Sequence, residues 1–290
     1  MTTDRGSYST PLDETMLTRL AQRFGGAEVE ALALTGSYAR GEAGRHSDID
    51  LLRFTMGEPT TERERYRLWL VDDRLVSVTT TTVAAKRAEL ARPETALWAV
   101  PGLRQARILF DHDGRLAALL AEARAFTWTP SLRHAAAAYA SDTLAGLAEE
   151  VHKLLGALER DDTSAILYVT LGLQLGLTRA ALVARGALVE TENAYFAEAL
   201  RLEPTGSRWQ RLLRVVAGYE APPAGQSLPH GRGEAALWFY VEAVRMLAEA
   251  LADEDAALVT ATVSRIQHAR VGDILQRAGT ATSPPWGPVQ

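Results

Sequence analysis

Short stretches of alternating apolar and polar residues occupy the first 111 positions of the chain. They are AEVEALALT at 27–35, DIDLLRF at 48–54, RYRLWLV at 65–71, RLVSVTTTTV at 74–83 and ARILFD at 106–111. Alternation with many β-branched side chains is typical of strands. The pair Asp72-Asp73 predicts a turn between the third and fourth stretches. We expect that hairpin to extend the sheet formed by the first two strands.

Helical periodicity flanks these strands. Leu17, Leu20 and Phe24 recur on one face of 12–24, and Gly25-Gly26 ends that helix. The pattern predicts a loop or frayed helix at 56–65 and a turn at HDG, residues 112–114. It also predicts helices at 83–98 and 116–126. Pro101-Gly102 is expected to end the first of these two helices.

From Ser131 onward every strong period is helical. The first helix predicted there runs to about residue 160, with one apolar seam. The seam consists of Leu144, Leu147, Val151, Leu154 and Leu158. A second long helix follows the cap at 161–164 and ends near 185, and shorter ones are predicted at 191–201, 207–218, 233–252 and 254–277, with a loop at 220–231.

These patterns predict an α+β fold with a small mixed β-sheet domain and flanking helices, followed by an all-α helical bundle. The predicted boundaries are 1–130 for the first domain, 131–278 for the bundle and 279–290 for a flexible tail. A length of 290 residues suits one large or two modest domains.

Composition excludes several classes of function. The net charge of −5 argues against a nucleic-acid partner, which usually requires a basic surface. The absence of cysteine excludes thiolate metal sites and a cysteine nucleophile. The first ten residues carry no apolar signal region, and the apolar stretch 165–177 is too short and too interrupted for a membrane span. We expect a cytoplasmic protein without membrane contact.

The stretch 35–54 carries the chemistry. Gly36-Ser37 is followed by ten residues and then by Asp48-x-Asp50. Side chains alternate along a strand, so both aspartates face the same way and repel each other unless a cation lies between them. Magnesium prefers such oxygen ligands, and it completes its shell with water and substrate phosphate. Asp48 and Asp50 are therefore candidate metal ligands.

The Gly36-Ser37 turn supplies a candidate phosphate site. Glycine allows close backbone approach, and the amides of a turn that opens a helix face an anion. Arg40, one helical turn on, adds a charge-assisted contact. A phosphate site beside a magnesium site is what phosphoryl or nucleotidyl transfer needs.

Gly36, Ser37, the ten-residue gap, Asp48 and Asp50 resemble the signature of the DNA polymerase β-like nucleotidyltransferase superfamily. The continuation SYARGEAGRHSDIDLL resembles its aminoglycoside nucleotidyltransferase branch. The resemblance implies magnesium-dependent transfer of a nucleoside monophosphate, AMP from ATP, to a hydroxyl of a small molecule. An aminoglycoside-like antibiotic is the leading acceptor, and antibiotic resistance the implied role.

One position departs from that family. Most relatives carry a third carboxylate in the middle of the strand that follows the Asp72-Asp73 turn. Here Ser77 or Thr79 occupies the place, and neither is a good base at neutral pH. Either another segment supplies the base, or the site has lost activity.

Glu149 and Lys153 lie one helical turn apart and off the apolar seam. From spacing alone an exposed ion pair is the favoured interpretation. Some aminoglycoside nucleotidyltransferases place a similar pair on the first helix after the sheet domain. The resemblance implies that Lys153 contacts the triphosphate and that Glu149 deprotonates the acceptor. Trp98 and Tyr195 are candidates for stacking, although core packing is favoured for both.

Two alternatives remain open from the sequence. One is a protein-nucleotidylating enzyme like the antitoxin members of toxin–antitoxin pairs, against which the long bundle argues. The other is a non-catalytic nucleotide-binding regulatory protein of the same fold, which the missing third carboxylate supports. We expect a monomer or a homodimer.

Overall fold

The computed structural model describes residues 12–222 and 225–269. The chain divides into two compact units by internal contacts. Unit 1 consists of 1–128 with 188–191, and unit 2 consists of 129–187 with 192–290. The predicted α+β class is confirmed, since a mixed sheet with flanking helices is followed by helices alone. The predicted tail 279–290 lies outside the described residues.

Unit 1 is built on a five-stranded sheet with the order β3-β4-β2-β1-β5. Strand β2 pairs antiparallel with β1 and parallel with β4, while β3 and β5 form the two edges. The hairpin β3–β4 therefore extends the sheet as predicted. The strands are β1 (Val29–Thr35), β2 (Ile49–Thr55), β3 (Tyr66–Val71), β4 (Arg74–Thr81) and β5 (Arg107–Asp111).

The pairing register divides the side chains between two faces. Asp50 is opposite Ser77 on β4, and Ser77 is opposite Leu68 on β3, so all three belong to one face, which we call the acid face. Ile49 is opposite Val76 and belongs to the other face. Each face packs its own apolar cluster.

The described residues of unit 1 form six helices. Helix α1 (Glu14–Phe24) buries Leu17, Leu20 and Phe24 against the face opposite the acids. Helices α4 (Val83–Leu90), α5 (Pro93–Gln105) and α6 (Arg115–Ala125) contribute to the cluster on the acid face. The two short helices are α2 (Gly36–Arg40) and α3 (Glu62–Arg65).

The prediction of one helix at 83–98 ended by Pro101 was wrong. Pro93 disfavours helical geometry at Arg92, which has a ψ of 124°, so α4 ends and α5 begins there. Pro101 lies inside α5, where it has no N–H for the carbonyl of Leu97. The N–H of Val189 donates to that carbonyl instead, at 2.9 Å. This bond fixes 188–191 to unit 1, and it explains why a proline is tolerated there.

The described residues of unit 2 form helices joined by loops, with no strand. Its helices are α7 (Pro130–Gly146), α8 (Ala148–Glu159), α9 (Thr163–Ala184), α10 (Tyr195–Arg201), α11 (Arg208–Val216), α12 (Leu228–Met246) and α13 (Asp253–His268), with 3-10 turns at Glu192–Ala194 and Ala248–Ala250. The Asp162 side chain caps α9 through the Ala165 amide, as predicted. The predicted extension of the last helix over 270–277 lies outside the described residues.

The single first helix predicted for the bundle is interrupted at Leu147. The buried Tyr240 hydroxyl donates to the Leu144 carbonyl at 2.9 Å, so that carbonyl faces a tertiary partner at the end of α7. The Leu147 N–H then donates to the Thr143 carbonyl, and α8 begins at the next residue, Ala148. A pattern of leucines does not reveal this break, because the apolar spacing continues through it.

Helix α9 is the most apolar element. The apolar stretch 165–177 is only part of this helix: at 22 residues α9 is long enough to span a membrane, and its most apolar window has a mean hydropathy of 1.5. However, 61% of that window is buried in the structure. This burial is typical of the core helix of a bundle.

Candidate active site

Both predicted acidic ligands lie at the start of β2. Asp48 is the residue immediately before the strand, and Asp50 is its second residue, with Ile49 fully buried between them. The two aspartates are partly buried on the acid face. The rigid pairing of β2 with β1 and β4 holds them in place, since β2 is a central strand.

Three neighbours define the environment of the Asp50 carboxylate. Ser77 Oγ donates to Asp50 Oδ1 at 2.6 Å. Burial, with repulsion from Asp48, raises the pKa of Asp50 above its usual value, although the Ser77 hydrogen bond and the charge of Arg40 oppose that rise. A carboxylate held in this way gains stability from a bound cation, which offsets both the burial and the repulsion.

Gly36 makes this arrangement possible. Its φ of +65° is in the left-handed region, and a Cβ at this position would collide with the Asp50 carboxylate. The chain then forms the single turn of α2, which Gly41 ends with a φ of +73°. The sequence identified Gly36 as the site of close approach, and the structure shows that the group approached is the side chain of Asp50.

Arg40 is held within unit 1 by two partners. Its Nε donates to Glu42 at 2.7 Å and its Nη1 donates to Gln105 at 3.2 Å, and only 14% of the side chain is exposed. Arg40 thereby keeps a positive charge close enough to Asp50 to lower the pKa of that carboxyl. Its predicted contact with a nucleotide remains a prediction.

A cavity of about 220 Å³ opens on the acid face beside Asp50. Ser77 and Thr79 line its floor, and Lys86, Glu89 and Trp98 line its helical wall. Lys86 Nζ contacts Glu89 Oε2 at 2.7 Å, and both side chains are less than a third exposed. The sequence interpretation missed Lys86 and Glu89, because their i,i+3 spacing on α4 resembles that of any surface ion pair.

Glu149 and Lys153 both lie on α8 of unit 2. Lys153 Nζ is 2.8 Å from Glu149 Oε1 and 2.7 Å from Glu150 Oε1, and 74% of the Glu149 side chain is exposed. The hydrogen bond from Lys153 lowers the pKa of Glu149, and the two glutamates raise the pKa of Lys153. The structure thus contains the ion pair expected from spacing, while the catalytic roles implied by the resemblance remain predictions.

The donor set around Asp50 fits one divalent cation. Among the described residues no group of three or more Asp, Glu, His or Cys side chains could hold a metal. Magnesium commonly uses one or two carboxylates and takes its other oxygens from water and substrate phosphates. Asp48 with Asp50 satisfies that requirement, and Ser77 occupies one oxygen of Asp50 at the place of the third carboxylate.

Comparison with known proteins agrees with this geometry. Residues 14–95 match the family model described as a nucleotidyltransferase domain. This part of unit 1 is therefore similar to a nucleotidyltransferase domain. The match includes every unit 1 residue predicted for the site, from Gly36 to Asp50, together with Ser77, Lys86 and Glu89.

The comparisons with curated proteins and with solved structures add little to this match. No curated protein matches the chain. Among solved structures, the chain is similar to a nucleotidyltransferase-like protein from Exiguobacterium sibiricum 255-15, with 13% identity, coverage of 90% of each chain and a TM-score of 0.46. The family-model match over residues 14–95 supports the predicted superfamily, and the aminoglycoside branch remains a prediction.

Proposed function

We propose that the protein transfers AMP from ATP to a hydroxyl group of a small molecule and releases pyrophosphate. The observation that supports this proposal best is the environment of the Asp50 carboxylate. It lies against Gly36 and accepts a hydrogen bond from Ser77, within the residues that match a nucleotidyltransferase domain. Asp48 and Asp50 form the acidic centre of the proposed site. The Gly36-Ser37 turn is proposed to bind the nucleotide phosphates.

The proposed reaction is one displacement at the α-phosphorus of ATP. The acceptor oxygen forms a bond to that phosphorus, while the bond from the phosphorus to the bridging oxygen of pyrophosphate breaks. The electron pair of the broken bond leaves with pyrophosphate, and the hydroxyl proton passes to a base. Positioning and charge neutralisation supply most of the catalysis in such transfers.

Asp48 and Asp50 are proposed to hold Mg²⁺. A bound magnesium ion would neutralise charge on the phosphates and lower the barrier to displacement. Asp50 serves this purpose only when ionised, and its raised pKa means that a proton competes for the carboxylate at higher pH than for an ordinary aspartate. Ser77 supports the ionised form by donating to Oδ1.

Three further roles are proposed, and the resemblance implies those of Lys153 and Glu149. Arg40 and Lys153 are proposed to contact the triphosphate, and Glu149 is proposed as the base that takes the acceptor proton. The absence of a carboxylate at Ser77 motivates the choice of Glu149, because the sheet then offers no base of its own.

The acceptor is proposed to be a small hydroxylated compound, with aminoglycoside-like antibiotics as leading candidates and antibiotic resistance as the corresponding role. The negative net charge of −5 favours a cationic acceptor over a nucleic acid. The cavity beside Asp50 is a place where a ring bearing the reactive hydroxyl can enter. We propose cytoplasmic action by a monomer or a homodimer.

A panel of acceptors incubated with α-labelled ATP and magnesium tests the proposal. We expect label on one class of acceptor and stoichiometric pyrophosphate, and we expect neither with Asp48→Asn or Asp50→Asn. Binding of ATP with magnesium but without pyrophosphate release for any acceptor would favour the non-catalytic regulatory protein, which Ser77 in place of a carboxylate supports. Label on a protein would favour the antitoxin-like enzyme.

A further inference from the structure

A second cavity, of about 390 Å³, lies on the sheet face opposite the acids. Arg53 of β2, Arg67 of β3, Arg23 of α1 and Arg63 of α3 line it. Arg53 is three residues beyond Asp50 on the same strand and therefore faces the other way. We call this site the arginine cavity, and its position separates it from the proposed active site.

Within the described residues, three of the four guanidinium groups form no ion pair with a carboxylate. Arg53 is paired with Glu28 at 3.1 Å and also donates to the Phe24 carbonyl. In the described part of the chain, no ion pair involves Arg23, Arg63 or Arg67. The concentration of charge is unusual in a protein with a net charge of −5, and like charges gathered in one concavity repel unless an anion binds.

The single carboxylate that lines the arginine cavity is already engaged. Glu64 accepts hydrogen bonds from the backbone N–H and the hydroxyl of Thr60, at 2.8 and 2.9 Å. The hydrogen bond from the Thr60 backbone N–H lowers the pKa of Glu64, so this carboxylate stays ionised. It reduces the positive charge of the cavity and does not cancel it.

Trp69 orders two of the arginines. The Arg67 guanidinium carbon is 3.9 Å from the centroid of the Trp69 ring, and that of Arg23 is 5.6 Å away. Phe24 packs edge-on against the same ring at 5.9 Å. Stacking of this kind fixes the plane of a guanidinium while its N–H groups remain free to donate, which reduces the entropy lost when an anion binds.

We infer that the arginine cavity binds a small molecule with two or more phosphate charges. Planar guanidinium groups donate bidentate hydrogen bonds to phosphate oxygens, and three uncompensated arginines match more than one negative charge. The volume is that of a small-ligand site and not that of a groove for a long polymer. This site goes beyond the transfer reaction, because its residues lie on the opposite face of the sheet.

The direct test measures pyrophosphate binding by calorimetry on the full chain. The Asp50→Asn background with EDTA removes metal-dependent binding at the proposed active site, so the result is independent of the transfer proposal. We expect saturable binding that weakens as salt increases. Arg63→Ala and Arg67→Gln should each weaken it about tenfold or more, since each removes a charge-assisted donor.

Arg65→Ala is the matched control. Arg65 is in the same short helix as Arg63, but it pairs with Glu62 at 3.5 Å and does not line the cavity. Its loss changes the net charge by the same amount and should leave the dissociation constant within about twofold. The melting temperature of each variant shows whether the substitution has destabilised the fold, which matters most for Arg67→Gln because Arg67 stacks on Trp69.

Three outcomes would overturn the inference. They are no saturable binding of pyrophosphate at millimolar concentration, equal binding by Arg63→Ala, Arg67→Gln and the Asp50→Asn parent, or equal weakening by Arg65→Ala. A single-stranded RNA that binds more tightly than pyrophosphate through the same arginines would replace the small phosphorylated ligand with a nucleic acid.

Discussion

Ser77 donates a 2.6 Å hydrogen bond to Asp50 across the parallel pairing of β2 and β4. The two residues are direct register partners, so the bond follows from the sheet itself. At the place where the family resemblance implies a third acid, this protein has a hydroxyl that stabilises the ionised form of Asp50. The serine at this position therefore acts on Asp50 directly, through a hydrogen bond that opposes protonation of the carboxylate.

Ser77→Ala tests that role through the pH dependence of transfer. Without the Ser77 donor the pKa of Asp50 should rise further, since burial and Asp48 then act with less opposition. The acidic limb of the pH–rate profile should move to higher pH, with the rate recovering on the alkaline side. Ser77→Thr keeps a hydroxyl and serves as control. An unmoved acidic limb in Ser77→Ala would mean that the hydrogen bond does not govern ionisation of Asp50.

Gly36→Ala should lower both stability and transfer. The new Cβ would collide with the Asp50 carboxylate, and the left-handed φ adds strain of about 1–2 kcal/mol. Gly41→Ala is the matched control, because Gly41 has a φ of +73° and nothing within 4 Å of its Cβ position. Thermal unfolding and transfer assays of both variants separate strain from collision. Equal losses in the two would show that the contact with Asp50 is unimportant.

Asp50→Asn should abolish transfer and yet stabilise the metal-free protein at neutral pH. A raised folded pKa means that the folded state holds the Asp50 proton more tightly than the unfolded chain. Stability of the native protein therefore falls as pH rises from the ordinary aspartate range through the raised pKa. The variant lacks that loss, so its melting temperature in EDTA should exceed that of the native protein at neutral pH. The difference should shrink in acid, and a constant difference at all pH values would contradict the assignment.

Glu149→Gln tests the proposed base. If Glu149 takes the acceptor proton, the rate should fall by about 10²–10⁴-fold with little change in ATP affinity. Glu150→Gln is the matched control, because Glu150 contacts the same Lys153 ammonium at 2.7 Å. Rapid-quench assays at saturating ATP measure both. Similar small effects in the two variants would leave Glu149 as an exposed partner of Lys153 and move the search to Glu89 in the cavity beside Asp50.

The local pattern determined much of unit 1. Alternation located all five strands, and Asp72-Asp73 adopted the positive φ values that a tight hairpin turn requires. The spacing from Gly36 to Asp50 suggested phosphoryl or nucleotidyl transfer, because strand alternation places Asp48 and Asp50 on one side, and the family resemblance then favoured nucleotidyl transfer. These features depend on residues that are close together in the sequence, so they can be predicted from the sequence alone.

Tertiary contacts decided the rest. Pro101 remains inside a helix because the N–H of Val189, nearly ninety positions away, donates to the Leu97 carbonyl, for which the proline has no N–H. Helix α7 ends where Tyr240 bonds Leu144. Register across β2 and β4 made Ser77 the partner of Asp50, and the folding of α4 over the sheet brought Lys86 and Glu89 to the same cavity. Each of these depends on residues far apart in sequence, whose pairing is fixed only when the sheet and its helices pack.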